Sequence, residues 1–207
     1  NHGVPIKSSI KIFKNKIYLT NQDNRLICID SKDGSKIWDI RSISSFIKSQ
    51  NFLSLAITKK GNLLAVNSSG DLFKVDGNNG RVFWSINALS SMFAHDTDFF
   101  KSSEIVVDNE NIIFSAGQSI FSISSENGYI NWEKNIRSTG APIIDKNNIF
   151  FVTENGFFII LNKINGQIIS ATNILKILKK KKRTTSITGF IMGSGKIYAV
   201  TQNGYLI

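Results

Sequence analysis

Three places in the 207-residue chain carry side chains suited to catalysis or charge recognition. His95, Asp96 and Asp98 put an imidazole beside two carboxylates, the set that general acid–base chemistry or a hard cation would use. Their spacing matches no metal motif, and a loop with a few polar residues is the better account of them. Cys28 is the single thiol of the chain and lies inside an apolar run. There a buried structural cysteine is expected, and no internal disulfide is possible. Lys179-Lys180-Lys181-Lys182-Arg183 is the one dense block within a net charge of +10. Such a run steers an acidic partner, an anionic membrane surface or nucleic acid, or it is a solvated loop held open by self-repulsion. No nucleic-acid module accompanies it and no aromatic residue is interleaved with it, so nucleic acid is not expected. With no Ser/His/Asp set, phosphate-cradling glycine loop or zinc spacing, no catalytic, cofactor-binding or metal-ligating residue is expected.

The elements that must carry these residues are set by a phrase that returns four times: a polar residue, a glycine four positions on, and in three copies a tryptophan four beyond that. It reads Asp30, Gly34, Trp38; Asp76, Gly80, Trp84; Ser124, Gly128, Trp132; and Asn162, Gly166, Ser170. The glycines stand 46, 48 and 38 residues apart, about the size of one four-stranded propeller blade. Before each copy lie two apolar β-type runs split by a polar turn, as in Leu63 to Val66 and Leu72 to Val75 around Asn67-Ser68-Ser69-Gly70. Asn-Gly and Ser-Gly between β-branched runs are hairpin turns, because those residues reach the positive φ that tight turns demand. The Asp/Asn-Gly step ahead of each tryptophan makes a second hairpin. A further short run, Gly140 to Ile144, precedes the fourth unit and is echoed at Gly3 to Ile6, giving four strands per unit.

Many runs are apolar at successive positions, such as Ile149 to Val152 and Phe157 to Leu161. A strand apolar on both sides must be covered on both sides. Blades stacked about an axis meet that demand, whereas a plain β-sandwich explains the short strands but not the recurring glycine and tryptophan. The chain therefore reads as an all-β propeller of four-stranded antiparallel blades at about 3–41, 52–88, 103–137, 140–174 and an incomplete 187–207. About four and a half blades fit a piece of a larger ring better than a closed small one, since an unfinished blade exposes a sheet edge. The 42% apolar content supports a sizeable core, and no apolar run approaches the about 18 residues of a membrane span.

The phrase Asp-x-x-x-Gly-x-x-x-Trp, following strands such as Ile17-Tyr18-Leu19-Thr20 and Leu63-Leu64-Ala65-Val66, resembles the pyrroloquinoline-quinone-type β-propeller repeat over nearly the whole chain. Within that family it is most similar to the BamB-type outer-membrane assembly lipoproteins, which use no cofactor. The resemblance implies an eight-bladed ring and assigns Gly34, Trp38, Gly80, Trp84, Gly128, Trp132 and Gly166 to structure; Ser170 departs from the pattern. It also implies a non-enzymatic scaffold in the periplasm, associated with the outer membrane through a lipid anchor outside these residues, with a barrel-assembly subunit as protein partner and no small-molecule substrate. The alternative within the family is a quinone-dependent dehydrogenase. Its cofactor-using members cover the quinone with an adjacent cysteine pair, and here Cys28 is alone.

The long insertions, Arg41 to Asn51, Asn87 to Ser103 and Ile174 to Ser186, all fall between the last strand of one unit and the first of the next. In an up-and-down meander those connections emerge on one face of the ring, and loops on a rigid β scaffold are where recognition resides. A partner protein is therefore expected on that face. Phe46, Ile47, Met92, Phe93, Phe99 and Phe100 are candidate apolar anchors, and Arg41, Lys48, Lys101, Lys180, Lys181, Lys182 and Arg183 candidate rim charges. Equally, the aromatic residues can tuck the loops back onto the blades.

Overall fold

The computed structural model describes residues 3–41, 48, 50–87, 102–108, 110–178 and 185–207. Each strand among them pairs antiparallel with its sequence neighbour. The first blade is β1 (Lys11–Phe13), β2 (Lys16–Thr20), β3 (Arg25–Asp30) and β4 (Lys36–Arg41). The second is β5 (Leu55–Ile57), β6 (Leu63–Val66), β7 (Asp71–Val75) and β8 (Val82–Asn87), and the third is β9 (Val106–Asp108), β10 (Asn111–Ala116), β11 (Ser119–Ser124) and β12 (Ile130–Lys134). The fourth is β13 (Ile143–Asp145), β14 (Asn148–Val152), β15 (Phe157–Asn162) and β16 (Ile168–Asn173), followed by a two-stranded sheet of β17 (Ile187–Gly193) and β18 (Lys196–Thr201). The opening strands β1, β5, β9 and β13 approach one another in turn, which puts them innermost and the fourth strands outermost.

One expected strand is corrected. The segment Gly3 to Ile6 forms no part of the first sheet; Ile6 only bridges Asn21, and the opening strand is Lys11–Phe13. What fixes a first strand is the tight turn after it, which needs a positive φ. Lys14 at 54°, Lys146 at 52° and Ser194 at 50° mark that turn in the first, fourth and fifth blades. The three residues before Lys14, not the proline-bearing segment further back, therefore pair with β2.

Local hydrogen bonds explain why the repeat has its composition. Asp30 Oδ1 accepts from Lys32 N, Asp76 Oδ1 from Asn78 N, Ser124 Oγ from Glu126 N and Asn162 Oδ1 from Ile164 N. The residue ahead of each glycine does the same one step later: Asp33, Asn79, Asn127 and Asn165 accept from Ser35, Arg81, Tyr129 and Gln167 N. Each loop between the third and fourth strands is thus a pair of side-chain-capped turns, which only short acceptor-bearing residues can build. After each loop the register of the two strands slips at one place, Cys28/Ile29, Lys74/Val75, Ser122/Ile123 and Ile160/Leu161. A bulge there increases the local twist and lies next to the fourth-strand position that the tryptophan occupies in three blades.

The core lies between sheets, not within one. Leu63 and Ala65 of β6 pack toward Tyr18, Leu26 and Cys28 of the first blade, while Leu64 and Val66 of the same strand pack toward Ile112, Phe114 and Phe121 of the third. All four β6 residues are buried. Ile113 and Ile120 then meet Ile149, Phe151 and Leu161, and Val152 meets Ile187 and Ala199. This is the two-sided cover that the unbroken apolar runs demanded.

At the periphery each outer-strand tryptophan seats on the glycine of the next blade. A Cβ on Gly80 would stand 3.0 Å from Trp38, on Gly128 2.9 Å from Trp84, and on Gly166 2.6 Å from Trp132, all at positive φ. The indole nitrogens then separate the three joints. Trp38 Nε1 donates to Gly77 O at 3.2 Å and Trp132 Nε1 to Lys163 O at 2.9 Å, in each case the carbonyl three residues before the glycine. The matching carbonyl in the middle joint belongs to Ser125, and there Lys74 Nζ takes it at 2.6 Å. Trp84 Nε1 is left buried without a partner. Ser170 stands where the fourth tryptophan would be.

The geometry gives three expected outcomes. Replacing Trp132 by Phe removes a hydrogen bond that Trp84→Phe does not, so in chemical denaturation the first substitution costs about 1 kcal/mol more than the second. Lys74→Ser frees the Ser125 carbonyl for Trp84 and raises the thermal midpoint at neutral pH. Burial, with Lys60 nearby, lowers the Lys74 pKa from 10.5. The unfolded chain therefore binds more protons between the folded value and 10.5, wild-type stability climbs with pH through that interval, and the advantage of Lys74→Ser shrinks there. Cys28 is wholly buried, and burial pushes its thiol up to about 11. Since the thiolate is the nucleophile, a disulfide reagent at pH 8 is expected to titrate no thiol in the folded protein and one per chain in guanidinium.

Candidate functional site

The meander gives the ring two unlike faces. Turns between first and second strands and between third and fourth strands lie on one, and they are short. The other carries the turns between second and third strands together with every connection from blade to blade. On it Asn24 Nδ2 donates to Ser68 Oγ at 2.9 Å and Ser68 N to Asn24 Oδ1 at 2.9 Å, tying the first two blades. Arg41 is exposed at the end of β4 on this face, and Lys48 Nζ stands 3.7 Å from Asp23 Oδ1 in the β2–β3 turn. Phe46, Ile47, Met92, Phe93, Phe99, Phe100, Lys101, Lys180, Lys181, Lys182 and Arg183, like His95, Asp96 and Asp98, fall outside the described residues. At the start of the third insertion Ile174–Ile177 forms a 3-10 turn whose Leu175 is buried over Gly156. That stretch tucks back onto its blade.

Several recesses open among the described residues. A polar one of ≈ 380 Å³ on the long-loop face is lined by Ser102, Ser103, Arg137, Ser138, Glu154 and Thr188. An apolar one of ≈ 420 Å³ lies beside Phe150 and Phe158, which stack at 6.2 Å, and is bounded by Met192 and Ile197. Larger than either is a groove of ≈ 820 Å³ on the short-turn face, between the second and third blades. Among the described residues no group of three or more His, Cys, Asp or Glu side chains is placed to hold a metal ion.

The large groove has walls of opposite sign. Lys59 and Lys60 come from the β5–β6 turn and Lys74 from β7, all on the second blade; Glu110 and Glu126 come from turns of the third. Asp108, on the same wall, is taken by Lys163 of the fourth blade, which is only 16% exposed. Lys59 and Lys60 face the acidic wall, Lys74 reaches across to Ser125 O beside Glu126, and no ion pair within 4.0 Å joins these charges among the described residues. Lys74 is partly buried, and its ammonium uses one of three N–H groups on Ser125 O while Nζ lies over the Phe83 ring, 5.8 Å from the centroid. Sequence reasoning passed over Lys74. The signal was available: where the other repeats put Cys28, Ser122 and Ile160 opposite the tryptophan or its equivalent, this one puts a lysine.

Comparison with known proteins narrows what this scaffold is. The outer membrane protein assembly factor BamB of Yersinia pestis is 21% identical over 220 residues, an alignment that takes in 100% of this chain and 51% of that protein. This chain thus spans about half the length of the relative. Among solved structures, BamB from Moraxella catarrhalis superposes with a TM-score of 0.65 at 14% identity, over 95% of this chain and 61% of that one. A quinohemoprotein alcohol dehydrogenase from Comamonas testosteroni reaches 0.72 at 13% identity, over 98% and 41%. At such identities both likenesses establish the propeller fold alone. The family model described as PQQ_2, outer membrane protein assembly factor BamB, matches residues 4–172, and the chain belongs to that family.

Proposed function

We propose that this chain is a non-enzymatic β-propeller platform that holds a protein partner during the assembly of outer-membrane β-barrel proteins. The observation that carries the reading is the family match across residues 4–172. The place of work is the periplasm beside the outer membrane, with any lipid anchor outside these residues, and the partner is a subunit of the barrel-assembly machinery. Such a role needs no bond-making chemistry. It needs a rigid body whose loops and sheet edges keep their geometry while another chain docks, so that little ordering entropy opposes binding. Nearest-neighbour packing of blades, each buried against the next, supplies that rigidity.

The docking face in this reading is the one that carries the long connections. Arg41 and Lys48 lie there, and Phe93, Phe100, Lys101 and the Lys180, Lys181, Lys182, Arg183 run belong to insertions that emerge there. Rim charges act mainly on encounter and register, whereas buried aromatic anchors set the dissociation rate.

Affinity capture with the full-length protein from detergent-solubilised bacterial envelopes is expected to retain a barrel-assembly subunit. The double substitution Arg41→Glu, Lys48→Glu is expected to lower capture about tenfold at low salt and leave the thermal midpoint unchanged. Quinone absorbance in the purified full-length protein, or alcohol oxidation with calcium and added quinone, would favour the dehydrogenase instead.

A further inference from the structure

The repeat provides its own control for Lys74. At the residue facing the outer-strand tryptophan or its equivalent, three blades use the neutral side chains of Cys28, Ser122 and Ile160. The second blade uses a cation, and it does so at a loss: the ammonium is partly desolvated, it occupies the Ser125 carbonyl, and Trp84 Nε1 is stranded. Nothing in the stacking of the blades asks for that arrangement, because the first and third joints close without it. A costly group held in place against local stability is characteristic of a working site, and this one opens into the ≈ 820 Å³ groove.

The charges of the groove state what would fill it. A simple anion drawn to Lys59, Lys60 and Lys74 would face Glu110 and Glu126, and a simple cation would meet the reverse. Nucleic acid, with a charge on every phosphate, is opposed by the acidic wall. A ligand that carries both signs satisfies both walls. Thr58, Asn62, Asn111 and Ser124 between them offer amides and hydroxyls suited to a peptide backbone. The volume lies within the about 300–1,000 Å³ of ligand-binding recesses.

We propose that the groove between the second and third blades binds a short peptide segment of mixed charge, its carboxylate received by Lys74 and Lys60 and its cationic side chain by Glu126. Among the described residues the Lys74 ammonium donates to Ser125 O, which leaves two N–H groups for that carboxylate. Binding of this kind is weak, exchangeable and salt-sensitive. The site lies on the face opposite the long connections and does not depend on the assembly role proposed above.

The test is calorimetry or NMR titration of the full-length protein with a capped Glu-Ser-Thr-Lys peptide, its neutral Gln-Ser-Thr-Gln counterpart, free glutamate and inorganic phosphate. The charged peptide is expected to saturate, to bind about tenfold more tightly than the neutral one, and to weaken about tenfold on Lys74→Ser and severalfold on Glu126→Gln. Glu126 is exposed, so its substitution leaves the fold intact and, with the neutral peptide, decides the matter even where Lys74→Ser perturbs stability. Equal affinity for the neutral peptide, indifference to both substitutions, or no saturation by the charged peptide would overturn the proposal. So would glutamate or phosphate binding as tightly as the peptide, which would make the groove a small-anion site. Capture of a barrel-assembly subunit by the long-loop face stands or falls separately.

Discussion

A propeller blade cannot stand alone, because both of its sides are apolar, and the contact that sets the angle between one blade and the next at the first three joints is the tryptophan of one outer strand packed on the glycine of the following blade. Several features of the repeat follow from that contact. The glycine must lack a Cβ, since one would come within 2.6 to 3.0 Å of the indole. It must also take a positive φ to turn the chain into the fourth strand, which glycine does without steric cost. In the Gly80 turn the acceptor side chains of Asp76 and Asn79, four residues and one residue before the glycine, lock the loop whose Gly77 carbonyl receives the Trp38 indole N–H. The bulge next to the tryptophan supplies the extra twist that lays the ring against its neighbour. Remove the contact and the sheets still have apolar sides to bury, but no fixed angle at which to bury them.

That economy explains why so much of the fold was legible in the sequence. The period of the glycines, the hairpin dipeptides and the doubled apolar runs each report a local requirement that every blade must meet, so they recur and reinforce one another. Where reasoning slipped, the requirement was of another kind. The proline-bearing segment Gly3 to Ile6 reads like a strand because Gly140 to Ile144 does, yet what defines a first strand is the left-handed residue after it, and Lys14 and Lys146 are not residue types that advertise a positive φ. Hydrophobic pattern located the sheets; turn geometry, carried by unremarkable lysines, set where the first one begins.

The candidate sites divide along the same line. Arg41 and Lys48 could be placed on the long-loop face from topology alone, because an antiparallel meander with four strands puts all inter-blade connections on one side. No periodicity marks the groove between the second and third blades. Its walls come from turns that are far apart in sequence, Lys59 and Lys60 against Glu110 and Glu126, and only the stacking of blades sets them face to face. Lys74 is the exception, since it breaks a column of neutral residues that the repeat otherwise keeps.

The middle joint shows how a repeat architecture can hold a site without disturbing its neighbours. In a closed core the loss of one indole hydrogen bond and the partial burial of an ammonium would spread through many contacts. Here the buried clusters among the described residues each join neighbouring blades, so the cost stays within one joint, and the joints made by Trp38 and Trp132 keep their hydrogen bonds. The tryptophan of the second blade still packs on Gly128 with no partner for its nitrogen; shape alone secures that contact, and this frees the Ser125 carbonyl to anchor Lys74. A cation that would wander on a surface loop is thereby fixed at one point on the wall of the groove, with two donors still to give.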